Sequence, residues 1–168
     1  MNKDYFIELY DYTFWGDRKL FECVMALSDE QYAQNIEFSQ GSIRDHIVHM
    51  IGVEHWWIHF LATGDLDFYD EPVYTLSREK LRDMRAQVER DIRAYLNTLT
   101  PQELERRVKP SFWDEEDAPV TVWQALLQVA NHSTDHRAQT MAMLHTKFGA
   151  PTFTQDYLTY LDEKKAHK

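Results

Sequence analysis

Eight histidines are spread along this 168-residue chain, and two pairs of them stand four positions apart, His55/His59 and His132/His136. On a helix that spacing puts two imidazoles on one face, one turn apart, where they can share a divalent metal ion. Composition alone yields about 0.4 such pairs, so the spacing informs only once the helix faces are known. Missing signatures narrow the chemistry. No histidine has a glutamate three residues before it, so the Glu-x-x-His pattern of di-iron bundles is absent. His132-Ser133-Thr134-Asp135-His136 lacks the glutamate that follows the first histidine of an HExxH protease helix. There is no GxSxG elbow, no Gly-rich phosphate loop and no CxxC pair. Cys23 reads as a small core residue, and Trp15, Trp56 and Trp57 read as core aromatics.

The elements that must position these histidines are long helices. Apolar residues at three/four spacing predict a first helix over 4–27, with Phe6, Leu9, Tyr10, Leu20, Phe21 and Val24 on one face. Ser28 with Gln31 has the form of a capping box opening a short helical turn. Ser42 caps a second long helix that runs to about Ala62 and stops near Gly64, with Asp45 at its positive end. A third follows Ser77, carrying Leu81, Met84, Val88, Ile92, Tyr95 and Leu99. Thr100-Pro101-Gln102-Glu103 reads as cap, first-turn proline and returning glutamate of another short helix. The stretch 109–119 is a loop, and a fourth long helix starts near Thr121 and ends at Gly149-Ala150-Pro151. The expected fold is all-α: an up-and-down-type four-helix bundle with short extra helical turns in the loops, as a single domain over residues 1–168.

Projected at about 100° per residue, Val122, Ala125, Leu126, Val129, Met143 and Leu144 form one apolar arc on the fourth helix. His132 and His136 both fall inside it, whereas His145 falls outside, toward solvent. On the second helix His46 lies deep in the apolar arc and His49 lies just inside its edge. His55 and His59 project to the polar side with Arg44 and Gly52. Periodicity therefore leaves His46 and His49 both open as a third ligand. It also leaves open buried histidines hydrogen-bonded to a carboxylate such as Asp17, Asp45 or Asp135.

Composition excludes several function classes. A formal net charge of −10 is the opposite of a nucleic-acid footprint. The basic cluster Lys164, Lys165 and Lys168 reads as a frayed, solvated tail. A hydrophobic content of 43% with 14% aromatics is that of a globular protein. The lone cysteine and the charged N-terminal segment predict a reducing, cytoplasmic setting without a signal peptide. The richest apolar stretch, IVHMIGVEHWWIHFLA, is broken by three histidines and a glutamate, so no membrane span is expected.

Four blocks in order, YDYTFWGDRKLFE, SIRDHIVHMIGVEHWW, VWQALLQVANHSTDHRAQTMAML and FGAPTFTQDYLTYL, resemble the successive helices of the DinB/YfiT-like bundles across nearly the whole chain. In that family one histidine of the second helix and an HxxxH pair of the fourth hold a divalent metal, commonly nickel or zinc. The second-helix histidine stands four or five residues ahead of a glutamate, with tryptophan soon after. His49, followed by Glu54 and Trp57, matches that place better than His46, and the pair matches at His132 and His136. The resemblance thus implies the metal ligands His49, His132 and His136. It also implies a homodimer and, for some relatives, transfer chemistry with a low-molecular-weight thiol such as bacillithiol, mycothiol or glutathione. The leading expectation is a metal-dependent thiol transferase or hydrolase-type enzyme acting on a small molecule. The alternative is a non-catalytic, stress-related dimeric protein that binds a metal or small ligand. Asp45, one turn before His49, is either a residue of the helix start or a partner that orients the ring. The acidic run Asp114-Glu115-Glu116-Asp117 is either a solvated loop or part of the entrance.

Overall fold

The computed structural model describes residues 2–166. Helix α1 spans Lys3–Val24, α2 Asp29–Ala33, α3 Ile43–Thr63, α4 Arg78–Thr98, α5 Pro101–Glu105, α6 Val122–Phe148 and α7 Tyr157–Ala166. A 3-10 turn covers Glu71–Thr75. The two-residue strands β1 (Arg107–Val108) and β2 (Val120–Thr121) pair antiparallel and pin the ends of the loop over 109–119.

Helix boundaries follow local chemistry. Ser42 and Asp45 form a reciprocal capping box that starts α3, and Thr121 with Gln124 does the same for α6. Both helices stop at a glycine in the left-handed region, Gly64 at φ 85° and Gly149 at φ 58°. At α5 Thr100 caps as expected, but Glu103 does not return to it. Its carboxylate instead accepts from the Tyr95 hydroxyl and pairs with Arg106.

The four long helices α1, α3, α4 and α6 make a bundle around one apolar core. Its order differs from the expected up-and-down arrangement. Helices α1 and α3 each pack extensively on α4 and α6, so the order around the bundle is α1–α4–α3–α6, and consecutive long helices α1 and α3 lie diagonally. Up-and-down neighbours need short loops. Here α1 and α3 are separated by a connection carrying α2, which packs on α3, and that length lets the chain cross the end of the bundle.

Helix α7 has no counterpart in the periodicity, because only Tyr160 of its ten residues is buried and no apolar stripe forms. It is held by aromatic rings, Tyr160 against Tyr12 and Trp15, and by Lys164 donating to Glu8 and to the Tyr160 hydroxyl at 2.8 Å each. Lys164 is therefore docked on the bundle, not frayed, while Lys168 lies outside the described residues. Among the described residues no helix is long and apolar enough to cross a membrane.

Candidate metal centre

Helices α3 and α6 pack face to face, and their histidines meet at that contact. His49 Nε2 lies 3.1 Å from His132 Nε2. The His136 ring centroid is 4.6 Å from that of His49 and 4.3 Å from that of His132. One ring nitrogen from each of the three lies within 4.8 Å of the other two, and among the described residues no further His, Cys, Asp or Glu joins the group. Two imidazoles on one tetrahedral zinc, each at about 2.0–2.1 Å, bring their nitrogens about 3.3 Å apart. The observed 3.1 Å is close to that value, so the site is able to coordinate a divalent ion.

The electrostatics suit ligation as well. Burial, reinforced by the neighbouring imidazoles, pushes the pKa of His132 down to about 4, and it lowers His49 and His136 too. Each ring is held neutral, the form that presents a lone pair. The alternative of a carboxylate-bonded buried histidine is not realised at these rings. Asp17 is bound to arginines, Asp45 closes the capping box on Ser42, and Asp135 accepts from Gln139. His132 Nδ1 is buried without a hydrogen-bond partner.

His46, the other candidate third ligand, is completely buried yet lies behind the site. Its Nδ1 is 3.5 Å from His136 Nδ1, and its Nε2 accepts from the Gln40 backbone N–H at 3.3 Å. With both rings neutral, one of the two Nδ1 atoms carries the hydrogen between them. Because a neutral His46 whose Nε2 accepts carries its hydrogen on Nδ1, His46 is the donor of this contact, and its ring packs against that of His136.

The second pair of histidines is only partly as expected. His55 and His59 are away from the site but half-buried rather than solvated. His55 stacks on Tyr69 at 4.3 Å and contacts Asp67 at 3.0 Å, strapping the loop after α3 onto that helix. His145 is exposed and Cys23 is buried, as the sequence implies. The acidic run 114–117 is exposed and closes on itself through the Asp114 N–H and Asp117.

Beside the histidines lies a buried ionic cluster that periodicity did not reveal. Asp17 accepts from Arg137 Nη1 at 2.8 Å and from Arg85 Nε at 2.8 Å, with a second contact from Arg85 Nη2. Glu54 faces Arg85 Nε at 3.2 Å and accepts from the Ser133 hydroxyl at 2.6 Å. Asp17 and Arg137 each interrupt an apolar stripe, which is the one signal of this cluster in the sequence.

Two comparisons with known proteins bear on this arrangement. A family model described as the DinB family matches residues 1–167. The chain is also similar to "Protein DinB" of Bacillus subtilis (strain 168), with 26% identity over 172 residues that cover 98% of each chain.

Proposed function

This chain belongs to the DinB family, and from that premise we propose that His49, His132 and His136 bind one divalent metal ion, zinc or nickel, at the centre of a thiol-transferase site. The observation that carries the reading is the convergence of three neutral imidazoles with no fourth protein ligand in the group. Structural zinc is normally closed by four protein ligands, whereas a three-ligand set leaves a position for substrate. A divalent ion held there supplies Lewis acidity, favouring the anionic form of a thiol or water brought to it.

The chain's own residues supply the rest. Burial keeps the three rings neutral, so a cation's charge is undiminished by its ligands and favours an incoming thiolate. His46 packs against His136, with the two Nδ1 atoms 3.5 Å apart, and restricts that ring. In the reaction proposed, the thiol sulfur bonds to an electrophilic carbon, the leaving group departs with its electron pair, and the thiol proton passes to solvent. The same reading places the protein in the cytoplasm as a homodimer, which light scattering at micromolar concentration tests.

The test of function is a panel of bacillithiol, mycothiol, glutathione, cysteine and coenzyme A against halogenated, epoxide and maleyl-type electrophiles. Conjugation above the uncatalysed rate is expected with metal-loaded protein and is lost on chelation and in His132→Ala. A fully loaded protein that never exceeds the uncatalysed rate rejects the transferase. The second reading, a non-catalytic metal-binding bundle, then takes its place. It is supported by the lack, among the described residues, of any Asp, Glu or Cys in the histidine group that could act as a general base.

A further inference from the structure

Gly52 stands in the middle of α3, three residues or about one helical turn past His49. A glycine there costs about 1 kcal/mol relative to alanine. Its backbone is not in the left-handed region, so no strain calls for it. Crowding does not call for it either: a Cβ built at Gly52 would have Tyr69 Cδ2 as its nearest neighbour at 3.9 Å, an ordinary contact. Gly16 of α1 is the opposite case, because a Cβ there would come within 2.8 Å of Arg137 Nε.

What a side chain at Gly52 would occupy is a cavity. A recess of about 230 Å³ opens beside α3, with Gly52 in its floor and the ligand His49 in its wall. Trp56, Phe68, Tyr69 and Tyr74 supply aromatic walls and three valines complete them; none of the lining residues is an acid, a lysine or an arginine. The Tyr69 wall is fixed from behind by the stacked His55 ring, and Phe68 packs on Trp56 and Phe112. Phe68 and Tyr74 remain 53% and 42% exposed, so the recess is open to solvent at that rim.

We infer that this glycine-floored recess is the substrate subsite of the metal centre and takes an uncharged, planar aromatic group. Size sets the occupant: an apolar cavity of about 150 Å³ accepts benzene, so the recess has room for one ring with a short substituent. Its wall chemistry does the rest, since burying an ion among these side chains would leave that charge without a counter-charge, whereas flat rings stack on Trp and Tyr faces. The inference rests on the proposed metal-centred function for its chemistry, but not for its binding.

The experiment is a calorimetric titration of metal-free and metal-loaded protein with anisole, an uncharged probe of one aromatic ring with a short substituent. Saturable binding with one probe per chain is expected in both forms. Gly52→Leu fills the floor and weakens the probe at least tenfold, with helix content and metal stoichiometry kept. Phe68→Ala, at an exposed position, removes a wall and weakens it by a smaller factor, which keeps the test decisive if Gly52→Leu does not fold. Probe affinity that is unchanged in a folded Gly52→Leu protein, or a signal that follows self-association rather than probe concentration, overturns the subsite. Probe binding with no thiol turnover rejects the transferase and leaves the subsite standing. Turnover without probe binding does the reverse.

Discussion

Two rows of side chains run side by side along α6, one residue out of step, and they solve the burial of polar groups in opposite ways. In one row Ser133 and Arg137 reach partners on α1 and α3, and with Arg85 of α4 they form a cluster of two carboxylates and two guanidiniums. Burial alone would push the Asp17 carboxyl up, but Arg85 and Arg137 outweigh it and hold the pKa below the ordinary value. Glu54 receives less help. Burial raises it to about 7, with Arg85 offsetting only part and Asp17 adding to the rise. In the other row His132 and His136 face His49, and the three rings turn polar nitrogens toward one another with no counter-charge. The first row pairs each of its charges within the protein, although Glu54 Oε2 and Arg85 Nη1 make no hydrogen bond, and it reads as structure. The second is completed only by something from outside, and it reads as function.

The largest expected effect comes from breaking the ion-paired row. Asp17→Ala leaves two buried guanidiniums without their shared partner and should cost about 3–5 kcal/mol of folding stability in a denaturant titration. The affinity of the remaining folded protein for metal should change little. A loss below about 1 kcal/mol would mean that the cluster does not carry the packing of α1, α4 and α6. On the histidine row, His46→Ala should weaken metal binding about 10–100-fold, because it removes the ring packed against the proposed ligand His136. If His46→Ala abolished binding while His49→Ala did not, the roles of the two residues would be exchanged.

The two rows should also respond to pH with opposite sign. His132 is lowered in the fold to about 4, so between that value and its ordinary pKa of about 6.5 the unfolded chain binds more protons. Its contribution to metal-free stability is present above about pH 6.5 and is lost as pH falls toward 4. Glu54 is raised to about 7, so its contribution is present below the ordinary carboxylate range and is lost as pH rises toward 7. Stability measured from pH 4.5 to 7 should therefore rise more steeply with pH in Glu54→Gln than in the parent, and less steeply in His132→Ala. The smallest effect is expected at His55→Ala. Loss of the Asp67 contact at the surface should cost under about 1 kcal/mol and leave metal stoichiometry unchanged.

Much of this was legible from residue types and spacing, for local reasons. Ser42, Thr121, Gly64 and Gly149 act within one turn of their own position, so the ends of α3 and α6 could be read directly. The inward projection of His132 and His136 was likewise a property of one helix. What periodicity could not rank was His46 against His49, because it reports depth and not partner. His46 is the deeper ring, yet half-buried His49 is the one whose Nε2 meets His132. The ionic cluster needed contacts among four helices, and no single helix carries that information. The bundle order depended on long connections, and α7 on aromatic docking at one buried tyrosine. His55 projected to a polar side that the loop carrying Asp67 and Tyr69 then covered.

The central claim is that His49, His132 and His136 hold one divalent ion. Its most direct test is metal stoichiometry and affinity by calorimetric titration of zinc and nickel into untagged protein, beside His49→Ala, His132→Ala and His136→Ala. One equivalent should bind the parent chain, and each substitution should weaken it beyond the loss caused by His46→Ala while the helical spectrum is kept. Parent protein that binds no metal, or binds it equally well after His132→Ala, would contradict the account.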